Sequence, residues 1–253
     1  MKLIFLGTGT STGVPQIGCS CRVCTSKDAR DKRLRCSALL ETEACTHILI
    51  DCGPDFRQQM LPQRFHSIDG VLITHKHYDH VGGLDDLRPF SVFGSVNIYG
   101  EQSSLDHVRE SMPYCFVEHK YPGVPNINLI SIQPGQDFYI KEQRVQPLRV
   151  MHGKMPILGF RFDELAYITD MKTIDDDWLR QLEGARTLVI NGLRFEEHGS
   201  HQTIPDAIRL SDKIGAERTY LIHMSHHAGL HEEVQKKLPA GIFLAYDGLE
   251  ICQ

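Results

Sequence analysis

The segment His75-Lys76-His77-Tyr78-Asp79-His80 constrains this chain more than any other. It follows the apolar run Gly70-Val71-Leu72-Ile73-Thr74, which reads as a buried strand. It therefore sits at a strand's C-terminal end, where α/β proteins tend to place their sites. Three imidazoles and a carboxylate in six residues are costly to bury and poor for packing. Divalent transition metals favour this mixture of nitrogen and oxygen ligands. His75 and His77, two apart on an extended segment, can point the same way. Asp79 and His80, on the following turn, can reach a second ion.

Three later residues repeat the pattern of a polar side chain at the end of an apolar run. His152 follows Gln143–Val150, Asp170 ends Leu165-Ala166-Tyr167-Ile168-Thr169, and His223 ends Thr219-Tyr220-Leu221-Ile222. Ligands at strand ends point to one site at one sheet edge. A second cluster, Cys19-Ser20-Cys21-Arg22-Val23-Cys24, has the spacing C-x-C-x-x-C, which lets one loop wrap a tetrahedral ion. It supplies three ligands of a closed, structural zinc site. Cys36, His226 and His227 are candidates for the fourth.

The chain has 253 residues, 41% of them hydrophobic and 23% charged, with a formal net charge of -5. That length suits one large domain or two small ones. No apolar stretch approaches the ~20 residues needed to span a bilayer. Met1–Gly7 reads as a first strand and lacks the features of a signal peptide. A soluble cytoplasmic protein is expected. No basic run marks a general nucleic-acid binder. Eight cysteines in a reducing compartment argue for metal binding rather than a disulfide framework.

The signature His75-x-His77-x-Asp79-His80, followed in order by His152, Asp170 and His223, resembles that of the metallo-β-lactamase-fold hydrolases. With the cysteine loop, and with His223-Met224-Ser225-His226 matching an H-x-S-H segment, the chain is similar to the PhnP phosphodiesterase group. The resemblance runs from Leu6-Gly7-Thr8-Gly9 to Tyr246-Asp247-Gly248. It implies an α+β, four-layer αββα sandwich with two mixed sheets and helices outside, forming one domain over residues 1–253 with a zinc loop at 18–24. His75, His77 and His152 would hold one metal, and Asp79, His80 and His223 a second. Asp170 would bridge them. Cys19, Cys21, Cys24 and His226 would hold the structural zinc. Zn(II), Mn(II) and Fe(II) all suit the dinuclear ligands.

The reaction implied is hydrolysis of a small or cyclic phosphodiester to a monoester by a hydroxide bridging the two ions. Asp79 and His201 are the catalytic candidates. His201, just before a helix start at Thr203, suits leaving-group protonation or transition-state stabilisation. His201 and Arg194 are the substrate-binding candidates, with His198 beside them. The rivals are a nuclease of the tRNase Z type, a thioesterase of the glyoxalase II type, a β-lactamase, and a non-catalytic metal-binding protein. The expected partner is a small phosphodiester, with nucleic acid second, no membrane, and a homodimer as the form that related enzymes often take.

Periodicity places strands at Ser37–Glu41, His47–Asp51, Asn97–Tyr99, Thr187–Asn191, Thr219–Ile222 and Ile242–Tyr246, and throughout Ile127–Tyr167. Helices are expected at Pro54–Leu61, from Val81, and at Ser104–Met112, Asp175–Leu182, Thr203–Ile214 and His231–Leu238. Tyr114–Asn128 reads as a loop, and Gly7–Gly13 as a turn rather than a nucleotide-binding loop. His47, His66, His107, His119 and His231 read as surface residues. Cys36, Cys45, Cys52, Cys115 and Cys252 read as packing residues.

Overall fold

In β1 (Lys2–Gly7), Leu3 and Phe5 face one way, Ile4 and Leu6 the other, and all four are buried. A strand buried on both faces needs a layer on each side of its sheet. A computed structural model covering Met1 to Gln253 shows those layers.

The first sheet has the order β14 (Glu250–Cys252), β1, β2 (Ser37–Glu41), β3 (His47–Ile50), β4 (Gly70–Leu72), β5 (Val96–Gly100), β6 (Ile127–Ser131). The second has the order β13 (Ile242–Leu244), β12 (Arg218–Ile222), β11 (Thr187–Asn191), β10 (Leu165–Ile168), β9 (Met155–Phe162), β8 (Gln143–His152), β7 (Phe138–Ile140). Each mixes antiparallel pairs with a parallel run, β3 to β6 in one and β10 to β13 in the other. Leu3, Phe5, Ile48, Phe160 and Tyr167 pack between the sheets. On the outer face of the first sheet, Ile4 and Leu49 meet Phe56 of α1 (Phe56–Met60), Val81 of α2 (Tyr78–Val81) and Leu105 of α3 (Gln102–Ser111). On the outer face of the second, Leu188 and Ile190 meet Leu179 of α4 (Asp176–Arg180), Ala207 of α5 (Ile204–Ile214) and Val234 of α6 (His231–Gln235). This is the four-layer αββα sandwich.

Helix α5 follows the capping logic of its sequence. Thr203 accepts from the Asp206 N–H, Asp206 accepts from the Thr203 N–H, and Gly215 ends the helix at φ +77°. Several expectations are corrected. β14 returns to the first sheet beside β1, pairing Ile251 with Leu3; three residues carry too little alternation to read as a strand. Residues 127 and 128 begin β6 and leave the Tyr114–Asn128 loop shorter. α4 and α6 stop earlier than their apolar patterns. His47 and His231 are buried rather than superficial: His47 stacks on His66, and Arg33 donates to His231 Nδ1. Cys45 and Cys252 are exposed, whereas Cys36, Cys52 and Cys115 are buried.

Strands β1, β3, β4, β8, β10, β11 and β12 all finish at one edge of the sandwich, and the chemistry-bearing residues gather there.

Candidate metal centre

His75 and His77 flank the exit from β4, and His77 is the residue on which α2 begins. The turn brings Asp79 and His80 inward. His152 ends β8, Asp170 follows β10 and His223 follows β12. His75, His77 and His152 place their ligand atoms within 4.8 Å of one another, as do Asp79, His80, Asp170 and His223. The two groups meet at Asp170. Its Oδ2 lies 3.9 Å from His75 Nε2 and 3.2 Å from His223 Nε2, and its Oδ1 lies 3.4 Å from His80 Nε2. The expected order of ligands thus comes together in space.

The donor set fits divalent ions. His80 Nε2 and both ring nitrogens of His223 are buried with no hydrogen-bond partner. Such orphans are expensive unless a cation accepts their lone pairs. Asp51, not among the residues expected at the site, explains the orientation of two ligands. Its Oδ2 accepts from His80 Nδ1 at 2.7 Å, leaving Nε2 for a metal. It also accepts from the Thr74 hydroxyl at 2.8 Å, and Thr74 Oγ1 lies 3.0 Å from His75 Nδ1. A carboxylate ending the apolar run Ile48-Leu49-Ile50 is the same signal that marked Asp170, and could have found it. His152 is fixed likewise, its Nδ1 2.9 Å from the Ser200 carbonyl.

Charge follows the geometry. Burial alone would lower His80, but Asp170, Asp51 and Asp79 outweigh it and raise the imidazole well above its ordinary value, the mark of a pocket that favours positive charge, a proton or a metal, at Nε2. Burial lowers His75 well below its ordinary value, and the neighbouring His80 and His77 push the same way. Asp170 stays well below the carboxylate range because His223 and His80 overcome its desolvation. Three site residues, Asp51, Asp170 and His223, have left-handed backbone at φ +59°, +57° and +54°. Such conformations are costly outside glycine and cluster at sites that the surrounding structure enforces.

His201 lies over the cluster, its ring centroid 4.5 Å from that of His152 and 4.9 Å from that of His223. Its Nδ1 is buried and unpartnered. Burial, with His223 close by, lowers it to about 3, so it stands as a neutral imidazole. His198 is adjacent, at 5.1 Å between centroids. Arg194 folds back: its guanidinium donates to the carbonyls of Glu196 and Glu197, bracing the loop that carries both histidines.

The cysteine cluster is completed by His226, whose Nδ1 is 3.4 Å from Cys19 Sγ and 3.3 Å from Cys21 Sγ. Cys24 belongs to the same group. The Cys24 N–H and His226 draw the Cys21 thiol down to about 6, toward the thiolate a metal would take, whereas burial pushes the Cys24 thiol up to about 11. Cys36 is not the fourth ligand, since it sits between the sheets beside Tyr167. His227 is not in the group.

A family model described as "Beta-lactamase superfamily domain" matches residues 46–224. The chain belongs to the β-lactamase superfamily. Within it, the chain is similar to a structure described as a new diphosphatase from the PhnP family, with 36% identity, a TM-score of 0.92, and coverage of 99% of this chain and 96% of that one. Zinc-bound PqqB from Methylobacterium extorquens shares the fold at 20% identity and TM-score 0.81, with both chains fully covered. An octanoyltransferase from Porphyromonas gingivalis is 50% identical over 251 residues, which is 99% of this chain but 51% of that protein. The chain therefore spans about half the length of that relative. No helix is long and apolar enough to cross a membrane.

Proposed function

We propose that this chain is a dinuclear-metal phosphodiesterase that hydrolyses a small or cyclic phosphodiester to a monoester. The observation that carries the reading is His201, an eighth inward-facing group in a site whose seven other members suffice for two ions. Two bound divalent ions would supply a nucleophilic water at neutral pH and neutralise non-bridging phosphate charge. His75, His77 and His152 would hold one, Asp79, His80 and His223 the other, and Asp170 both. His201 begins neutral, so it serves first as a hydrogen-bond donor to the phosphoryl or leaving oxygen. Arg194 acts by holding the His198–His201 loop. The relative described as a diphosphatase supports displacement at phosphorus as the reaction class.

Acyl transfer, suggested by the octanoyltransferase name, finds less support in this chain. It needs an activated nucleophile. The hydroxyls touching the cluster, Thr74 and Thr169, are buried and committed to Asp51 and Asp170. The Cys36 thiol is buried and pushed up to about 12 by desolvation.

Hydrolysis of bis(p-nitrophenyl) phosphate with added Mn(II) or Zn(II), beside a thioester control, tests the reading. Diester turnover alone is expected. His201→Ala should reduce it by about a hundredfold or more while bound metal is unchanged. Thioester turnover alone would overturn the assignment.

A further inference from the structure

Asp170 is met from below by a buried chain of three residues. Tyr167 of β10 faces the first sheet, and Thr169, just past the strand and two residues on, turns its hydroxyl toward Cys36. Cys36, just before β2, meets them from that sheet. The Thr169 hydroxyl donates to Asp170 Oδ1 at 2.6 Å. The same hydroxyl lies 3.7 Å from Cys36 Sγ, and Cys36 Sγ lies 3.5 Å from Tyr167 Oη. All three residues are essentially inaccessible to solvent.

The chain has one self-consistent direction. A hydroxyl carries a single proton, and the short contact with a carboxylate takes it. Thr169 can then only accept from the Cys36 thiol. The sulfur in turn is free to accept from the Tyr167 hydroxyl. Burial keeps both acids protonated, raising Cys36 to about 12 and Tyr167 well above its ordinary value.

Asp170 has two oxygens with different surroundings. Oδ1 accepts from Thr169 and lies 3.4 Å from His80 Nε2, a ligand of one proposed metal only. Oδ2 faces His223 Nε2 at 3.2 Å and His75 Nε2 at 3.9 Å, one ligand from each proposed metal. We propose that the Tyr167–Cys36–Thr169 chain is a positioning device: its hydrogen bond to Oδ1 fixes the Asp170 carboxylate so that Oδ2, the oxygen facing both His75 and His223, would be presented to both ions. The device spans the gap between the sheets, so it also ties their separation to the geometry of the bridge. It rests on the dinuclear reading of the site and is independent of the phosphodiester assignment.

Calorimetric titration of Mn(II) into protein stripped of its catalytic ions, with thermal unfolding measured in parallel, tests it without substrate. Thr169→Val should weaken binding of one Mn(II) equivalent by about tenfold or more, the scale of losing a hydrogen bond to a charged group. Thr169→Ser should restore it, and Tyr167→Phe should give a smaller loss in the same direction. In Mn-loaded protein, the electron paramagnetic resonance signature of a coupled pair should weaken in Thr169→Val and persist in Thr169→Ser. Unchanged affinity and coupling in Thr169→Val would overturn the proposal. So would equal losses in Thr169→Ser and Thr169→Val, because packing alone would then explain the effect. If Thr169→Val does not fold, Tyr167→Phe decides: unchanged Mn(II) affinity there overturns the chain. Failure of phosphodiester turnover would leave these binding readouts intact.

Discussion

The two candidate metal-binding regions of this chain are built on opposite plans. The cysteine tetrad takes three ligands from one six-residue loop and adds one distant histidine. The imidazole–carboxylate cluster collects seven ligands from the ends of four strands in two sheets. The first is local, sulfur-rich and suited to closing around one ion. The second is assembled by tertiary structure and is overlaid by an extra imidazole, His201. Local wrapping serves stability, and dispersed wrapping leaves room for chemistry. The two plans meet in His223-Met224-Ser225-His226. Here Met224 exchanges main-chain hydrogen bonds with Thr8 and Thr10, and its neighbours serve different sites.

Chelation should separate the regions most sharply. A mild chelator should empty the open cluster and abolish turnover while about one zinc per chain remains; metal analysis after dialysis reads the order, and simultaneous release would break the distinction. Cys21→Ser comes next. It should remove that zinc, lower the thermal midpoint by several degrees as a lost structural ligand does, and weaken the second catalytic ion through Met224. Unchanged zinc content would refute the tetrad. Asp51→Asn should weaken metal binding at the open cluster about 10–100-fold, the usual cost of losing a partner that orients a ligand, and leave the tetrad's zinc in place.

The smallest effect concerns the scaffold behind the tetrad. Burial, with Arg33 and Arg30 nearby, lowers His231 to about 4 from an ordinary 6.5. Its neutral form belongs to the folded state. Stability from this group is therefore full above pH 6.5 and is lost as pH falls from there through 4. Urea midpoints of the native protein and of His231→Gln, compared between pH 7 and 4, should converge as pH falls. Parallel curves would remove His231 from the account.

The same contrast explains what could be read in advance. The cysteine loop and the His75–His80 segment announce themselves because their ligands are close in the chain. His152, Asp170 and His223 are legible because the resemblance calls for single ligands downstream of the signature and each of these polar residues terminates an apolar run. Asp51 obeys that rule too, but lies inside what reads as an ordinary strand pair, and only the 2.7 Å contact with His80 reveals its role. β14 escaped because three residues carry no usable period. The burial of His47 and His231 depends on partners far along the chain, Asp31 and Arg33 among them for His231, which no local pattern encodes.

The division of the open cluster between sheets has a consequence for the order of assembly. His75, His77, Asp79 and His80 belong to the first sheet's half of the chain, whereas His152, Asp170 and His223 belong to the second. The first set alone would offer four of the seven ligands and would lack Asp170. Capture of two ions by this cluster would therefore require the second sheet to have docked, so metal content would report that the sandwich has closed.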